Sequence, residues 1–221
     1  CELTQNTRVS YPIDHIDNVM TPSVGPAPKN IFFLTADAFG VLPPISRLTN
    51  EQAMYHFMSG YTAKVAGTEM GITEPQTTFS ACFGAAFLPL HPAKYAELLG
   101  KKLEGTDIKV WLINTGWSGG SYGVGNRMKL SYTRAMITAA MNGKLDSVEF
   151  KTQPIFELSI PTECEGVPTE VLNPIDTWED KAAFEETAEA LATKFIKNFT
   201  QFEAESSEAI KCAAPKLMAH K

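Results

Sequence analysis

The pattern of hydrophobic and polar positions along the chain separates strands from loops. Residues 30–35 and 109–113 are continuous apolar runs, which are typical of strands buried on both faces. Residues 156–160 form a third, shorter strand candidate. The first thirty residues are rich in proline, and residues 60–75 combine glycines with polar side chains, so we predict loops in both segments. Loops as long as the second are commonly functional lids or disordered.

Apolar residues at helical spacing, with capping residues at the segment ends, predict four helices. These run from the Thr49–Gln52 capping box to Gly60, from Pro92 through Leu99 with Gly100 as the stop, from Leu130 to Met141, and from Trp178 to about Phe202 with Asp176 as N-cap. The polar tail after Glu203 is expected to fray. The order of strand, glycine-rich loop and helix indicates an α/β architecture.

Composition and charge exclude several classes of protein. With 44% hydrophobic and 20% charged residues, most of the 221-residue chain is expected to fold. Its apolar runs are far shorter than the ~20 residues that span a bilayer, so no membrane partner is expected. A net charge of −6 argues against nucleic acid. Four scattered cysteines without a C-x-x-C pair predict reduced thiols and a cytoplasmic location.

A glycine cluster follows the second strand and precedes the third predicted helix. Gly120 and Gly125 have the spacing of a P-loop, but the next two residues are Asn126 and Arg127 instead of Lys and Ser or Thr. The cluster is therefore not a Walker A motif. Its backbone N–H groups could still bind an anion, although the spacing alone favours a structural turn.

Arginine usage is more informative, because the chain has only Arg8, Arg47, Arg127 and Arg134. A planar guanidinium suits phosphate recognition and stacking on purines. Arg8 and Arg127 are the candidates for such a role, whereas surface positions are predicted for the other two. The histidines and acidic residues do not converge on a metal site, and Cys82 is interpreted as a buried, unreactive thiol.

Several long strings resemble those of the ATP-dependent phosphoenolpyruvate carboxykinase family. They are Asn6-Thr7-Arg8-Val9-Ser10-Tyr11-Pro12 and the segments 33–44, 71–75, 78–87 and 114–117. The resemblance covers residues 1 to 200 and matches the C-terminal part of a family chain. Because the sequence begins with Cys1 instead of Met, we also expect it to be a piece of a longer or cleaved chain.

The resemblance implies an α/β fold in which residues 1–221 form the C-terminal portion of a mononucleotide-binding domain, with a mixed sheet and flanking helices. It implies part of an enzyme that converts oxaloacetate and ATP to phosphoenolpyruvate, CO₂ and ADP in gluconeogenesis or CO₂ fixation. The P-loop and the ligands of Mg²⁺ and Mn²⁺ would lie upstream of residue 1, in the missing N-terminal portion. The chain alone is therefore predicted to be inactive, with a mobile lid at about residues 60–80.

The same resemblance assigns individual site residues. Arg8 would contact the γ-phosphate and the substrate and act in catalysis, while Arg127 and Met128 would hold the adenine and Thr133 would contact the nucleotide. Met128 departs from the isoleucine expected in relatives, although it keeps an apolar contact.

Two other functions remain open from the sequence. The chain could be a non-catalytic nucleotide-binding or interaction fragment that folds alone, or, if the resemblance is set aside, a different kinase-like α/β enzyme. A second chain that carries a P-loop would favour the carboxykinase over the non-catalytic fragment.

Overall fold

A computed structural model describes residues 9–64 and 71–217. The strands in these residues are β1 (Asn30–Thr35), β2 (Ile45–Leu48), β3 (Tyr61–Lys64), β4 (Gln76–Phe79), β5 (Lys109–Asn114), β6 (Trp117–Ser118), β7 (Asn126–Arg127), β8 (Phe150–Thr152) and β9 (Ser159–Pro161). The α-helices are α1 (Asn50–Ser59), α2 (Pro92–Leu103), α3 (Leu130–Met141), α4 (Thr169–Leu172), α5 (Lys181–Phe199) and α6 (Glu208–Cys212).

A mixed sheet forms the centre of the fold, with strand order β1-β5-β2-β9-β8. Strands β1 and β5 are parallel, and the other neighbours in the sheet are antiparallel. Strands β3 and β4 form a separate antiparallel hairpin, and β6 pairs with β7. This architecture confirms the predicted α/β class with a mixed sheet and flanking helices.

Strand β5 divides the hydrophobic core into two layers because its side chains alternate between the faces of the sheet. Val110 and Leu112 pack on one side, in the cluster that also contains the buried residues of α1, α2 and α5. Trp111 and Ile113 pack on the opposite side, in the cluster that includes Met136 of α3. The sheet is thus covered on both faces, as its continuous apolar strands predicted.

Two helices match their predicted bounds closely. The Thr49 hydroxyl accepts a hydrogen bond from the Gln52 N–H at 3.2 Å, and the Gln52 side chain accepts one from the Thr49 N–H at 3.0 Å. This capping box starts α1, and Gly60 ends it in the left-handed conformation at φ 52°. Helix α3 spans the predicted residues, Leu130–Met141, and Asn142 is its C-cap.

The predicted ends of the other two helices are wrong. Helix α2 continues through Gly100 to Leu103, because Gly100 packs against Met54 of α1 and does not act as a cap. Helix α5 is capped by Asp180, whose carboxylate accepts hydrogen bonds from two N–H groups of the first turn. Asp176, the predicted cap, lies in a short 3-10 helix. Two acidic residues near one helix start compete for the cap, and the sequence does not rank them.

Three further expectations need correction. The predicted loop at 60–75 begins with strand β3, and the third predicted strand is β9, displaced toward Pro161. Residues 204–217 of the tail do not fray, because α6 buries Ile210 against the larger core cluster. Strand β2 escaped prediction because it directly follows Pro43-Pro44. No helix in residues 9–64 and 71–217 has the length and apolar character needed to cross a membrane.

His56 on α1 predicts a pH dependence of stability. It is 4% exposed, and burial lowers the pKa of its imidazole from 6.5 to about 4. Above the unfolded-state pKa the side chain is neutral in both states and contributes no pH dependence. As the pH falls from about 6.5 toward 4, the unfolded state binds the proton first, so stability is lost, by about 2 kcal/mol at pH ~5.

Urea unfolding at pH ~7 and pH ~5 should show this loss of stability. The His56→Phe variant should lack the part of the loss that His56 causes. His15→Gln, at an exposed position, should retain the wild-type pH dependence. An identical slope for His56→Phe and wild type would show that His56 is not responsible.

Candidate functional site

A buried carboxylate organises the loop at the C-terminal end of β1. Asp37 is 0% exposed and lies two residues beyond the end of the strand. Its oxygens accept hydrogen bonds from the N–H groups of Phe39, Val41 and Leu42 at 3.0, 2.8 and 2.9 Å. They also accept one from the Tyr61 hydroxyl at 2.8 Å. These four donors fold residues 37–42 tightly around the carboxylate.

Burial raises the pKa values of both Asp37 and Tyr61. Desolvation raises the pKa of Asp37, and the hydrogen bonds from Leu42, Phe39, Val41 and Tyr61 oppose that rise because they favour the charged form. Burial, followed by the charge of Asp37, raises the pKa of Tyr61 well above its usual value. Tyr61 therefore remains a protonated donor at neutral pH.

Asn114 joins the Asp37 loop to the end of β5. Its Oδ1 accepts hydrogen bonds from the N–H groups of Asp37 at 2.9 Å and Gly116 at 2.8 Å, and its Nδ2 donates to the Leu42 carbonyl at 2.8 Å. The Trp117 N–H donates to the Asp37 carbonyl at 2.8 Å. The carboxyl ends of two parallel strands are thereby held together, at the edge of the sheet where α/β proteins commonly bind ligands.

The glycine-rich loop packs directly on the Asp37 loop. The Tyr122 N–H donates to the Ala38 carbonyl at 2.8 Å. A Cβ on Gly40 would lie 2.3 Å from the Gly120 carbonyl oxygen, so only glycine allows these two loops to approach so closely. Gly40 is therefore required for the packing of these two loops.

Arg127 and Met128 lie beside this junction. The Arg127 Nε donates to the Thr115 carbonyl at 2.5 Å, and the guanidinium carbon lies 4.7 Å from the centroid of the Trp117 ring. The side chain is half-buried, and burial lowers the pKa of its guanidinium. The Met128 N–H donates to the Gly116 carbonyl at 2.7 Å. The guanidinium is thereby held over the indole at the carboxyl end of β5.

The other residues predicted from the sequence are placed as follows. Thr133 is buried in the first turns of α3, a few residues after Met128. Arg134 is exposed on the same helix, and the guanidinium of Arg47 lies 4.1 Å from the centroid of the Phe150 ring. Arg8 and residues 65–70 of the predicted lid lie outside the described residues.

The described residues contain no group of metal ligands, and Cys82 is not an activated thiol. In residues 9–64 and 71–217, no group of three or more His, Cys, Asp or Glu side chains could hold a metal ion. Burial raises the pKa of the Cys82 thiol to about 11, which disfavours the nucleophilic thiolate.

Sequence reasoning missed Asp37, Asn114 and Tyr61 as site-building residues. Asp37 and Asn114 each stand at or just after the end of an apolar strand, which is a usable signal for polar groups at a sheet edge. Tyr61 gave no comparable signal, because it lies where the sequence predicted a loop.

Comparison with known proteins identifies relatives of the chain. A family model described as phosphoenolpyruvate carboxykinase matches residues 1–170. Relatives named phosphoenolpyruvate carboxykinase (ATP) come from Flavobacterium johnsoniae, 63% identical over 213 residues, and Christiangramia forsetii, 62% identical over 213 residues. A third, from Caldanaerobacter subterraneus subsp. tengcongensis, is 60% identical over 215 residues.

The match is nearly complete for this chain but partial for the relatives. It covers 96% of this chain and 40% of each of the first two relatives, and 97% and 41% for the third. The chain therefore spans about two fifths of the length of these relatives.

The contact between Gly116 and Asp37 gives a prediction about this site. A Cβ on Gly116 would lie 2.1 Å from the Asp37 carbonyl oxygen, a backbone atom that cannot rotate away. Gly116→Ala should therefore lower the free energy of unfolding by about 2 kcal/mol or more. Gly25→Ala is the control, because no atom lies within 4 Å of the added methyl group, and its effect should stay within about 0.5 kcal/mol. Urea titration that gave equal stability for the two variants would contradict the close approach.

Proposed function

We propose, from the premise that this chain belongs to the ATP-dependent phosphoenolpyruvate carboxykinase family, that it supplies the adenine-binding side of such an enzyme. The whole enzyme would convert oxaloacetate and ATP to phosphoenolpyruvate, CO₂ and ADP. The observation that carries the proposal is the half-buried Arg127, whose guanidinium is held by the Trp117 ring and the Thr115 carbonyl. An arginine fixed in this way presents a rigid, charged plane suited to a purine.

In this proposal the adenine lies against Arg127 with Met128 as its apolar neighbour, and Thr133 contacts the nucleotide. The hydrogen bond from the Met128 N–H to Gly116 fixes the backbone that carries both clamp residues. The order of the residues supports this arrangement, because the clamp lies immediately before the N-terminus of α3. A helix N-terminus carries partial positive charge and favours nearby phosphate groups.

Arg8 is proposed as the catalytic residue, on the resemblance of its Asn-Thr-Arg motif. Loss of CO₂ from oxaloacetate leaves an enolate, whose oxygen attacks the γ-phosphorus while ADP leaves. A guanidinium at the γ-phosphate would offset the charge of the phosphoryl group during transfer. The same side chain would also bind the oxaloacetate carboxylate as a fork.

Metal ions fit this part of the chain poorly. Because residues 9–64 and 71–217 hold no group of three metal-ligating side chains, no step of the reaction is assigned to a metal on these residues. We place the Mg²⁺ and Mn²⁺ ligands, like the P-loop, in the upstream portion that the relatives contain.

We also propose that residues 60–80 form a lid carried by the β3–β4 hairpin. A lid excludes water while a reactive intermediate exists. Here it would protect the enolate from protonation, which would give pyruvate in place of phosphoenolpyruvate.

The adenine clamp is tested by Arg127→Ala in the full-length enzyme. Stacking of a guanidinium on an aromatic ring contributes about 0.5–2 kcal/mol, so ATP and ADP binding should weaken roughly two- to thirtyfold. Oxaloacetate affinity should remain nearly unchanged. Arg134→Ala, at an exposed position of α3, is the matched control and should bind both ligands normally.

Calorimetry of both ligands decides the question. Equal losses of ATP and oxaloacetate affinity would indicate a structural role for Arg127. The chain alone should show no phosphoenolpyruvate formation. If a full-length enzyme that is folded and binds ATP were also inactive, the non-catalytic nucleotide-binding alternative would replace the carboxykinase.

The role of Arg8 is tested by Arg8→Lys. Lysine keeps the charge but loses the planar fork, so kcat should fall by about 100-fold or more, as for other lost transition-state stabilisers. Steady-state kinetics separate this effect from binding. A change confined to the KM for ATP would assign Arg8 to ground-state binding instead.

A further inference from the structure

The base of the β3–β4 hairpin is attached to the candidate site by a side chain as well as by the backbone. Tyr61 begins β3 and pairs with Phe79 of β4 across the hairpin. The Tyr61 ring lies in the large core cluster, with its centroid 4.9 Å from that of Phe195. Its hydroxyl leaves this apolar surrounding and donates to the Asp37 carboxylate at 2.8 Å. This buried hydroxyl therefore contacts the Asp37 loop beside the backbone bond from the Ala63 N–H to the Ala36 carbonyl and the packing of Ala63 against Ala38 and Trp117.

From Tyr61, short hydrogen bonds lead to the backbone of the proposed adenine clamp. The Asp37 N–H donates to Asn114 Oδ1 at 2.9 Å, and the Gly116 N–H donates to the same oxygen at 2.8 Å. The Gly116 carbonyl then accepts from the Met128 N–H at 2.7 Å. Each connecting group belongs to a buried side chain or to the backbone, so displacement of one requires movement of the next.

A second set of hydrogen bonds runs parallel to the first. The Thr35 hydroxyl donates to the Tyr61 carbonyl at 2.8 Å, and the Thr115 N–H donates to the Thr35 carbonyl at 2.8 Å. The Thr115 carbonyl is the group that accepts from Arg127 Nε. Both clamp residues, Arg127 and Met128, are thus connected to the residue that begins the hairpin.

We propose that Tyr61 is a positioning residue that couples the β3–β4 hairpin to the adenine clamp through Asp37, so that nucleotide binding at Arg127 and ordering of the hairpin favour each other. The proposal rests on the proposed function, which supplies the nucleotide and the lid. Tyr61 need not touch either ligand. Coupling requires only that the hairpin and the clamp share one arrangement that both ligand binding and closure stabilise.

The test replaces the Tyr61 hydroxyl and leaves its ring in place. Tyr61→Phe in the full-length enzyme keeps the contacts with Phe79 and Phe195 but removes one of the donors to Asp37. Tyr55→Phe is a matched control, because Tyr55 is buried in the same cluster and is not one of the donors to the Asp37 carboxylate.

Two measurements follow. Tyr61→Phe should weaken ATP binding about three- to tenfold, within the range of coupling through packed networks, and should reduce the ATP-dependent protection of residues 71–79 in hydrogen exchange. Tyr55→Phe should match wild type in both. A merely structural role for Tyr61 would lower thermal stability while leaving ATP affinity and ATP-dependent protection unchanged, and that result would overturn the proposal.

A double-variant cycle with Arg127→Ala completes the test. If Tyr61 acts through the backbone that carries Arg127 and Met128, Tyr61→Phe should weaken ATP binding by a smaller factor in the Arg127→Ala background than in wild type. If the losses of ATP affinity from Tyr61→Phe and Arg127→Ala multiply in the double variant, the two residues act independently and the coupling is overturned. The wild-type enzyme distinguishes this failure from failure of the proposed function. Absence of ATP binding and phosphoenolpyruvate formation in wild type would reject the function itself. An active wild-type enzyme in which the effects of the two substitutions are independent would reject only the coupling.

Discussion

The buried carboxylate of Asp37 is the group on which the arrangement of the site depends. A carboxylate removed from water is stable only if hydrogen-bond donors replace its hydration. Three backbone N–H groups and the Tyr61 hydroxyl provide that replacement. Each donor must hold one position to reach the Asp37 carboxylate. The need of this one side chain for hydrogen bonds therefore fixes the loop after β1 and the start of β3. Through Asn114, the same constraint extends to the end of β5.

Local signals in the sequence predicted much of the fold. The capping box at Thr49 and the apolar runs of β1 and β5 depend on neighbouring residues, and the structure confirms them. The predicted start of α5 and the predicted stop of α2 at Gly100 were wrong. Asp180 caps α5 instead of Asp176, and Gly100 packs against Met54 of α1. Strand β2 directly follows Pro43-Pro44 and becomes a strand by pairing with β5 and β9. Tertiary pairing of that kind leaves no local pattern to detect.

The candidate site shows the same division. Arg127 could be selected from the sequence because arginines are rare in this chain and a guanidinium has distinctive chemistry. Its stacking on Trp117 could not be predicted, since it depends on the pairing of two short strands around a glycine loop. The roles of Asp37 and Tyr61 likewise depend on contacts between distant parts of the chain. The assignments of Arg8, Arg127, Met128 and Thr133 to ligands remain predictions.

The parallel pairing of β1 with β5 also has a consequence for the order in which the chain folds. Asn30 pairs with Lys109 and Thr35 with Asn114, so the first strand of the sheet has no partner in the sheet until much of the chain has been synthesised. During that interval the apolar run of β1 is without its neighbour, and the Asp37 N–H is without its acceptor on Asn114. Contacts so distant in sequence slow folding and prolong the time during which hydrophobic surface is exposed. In a cell, the apolar run of β1 would therefore stay exposed on the nascent chain until β5 has been made.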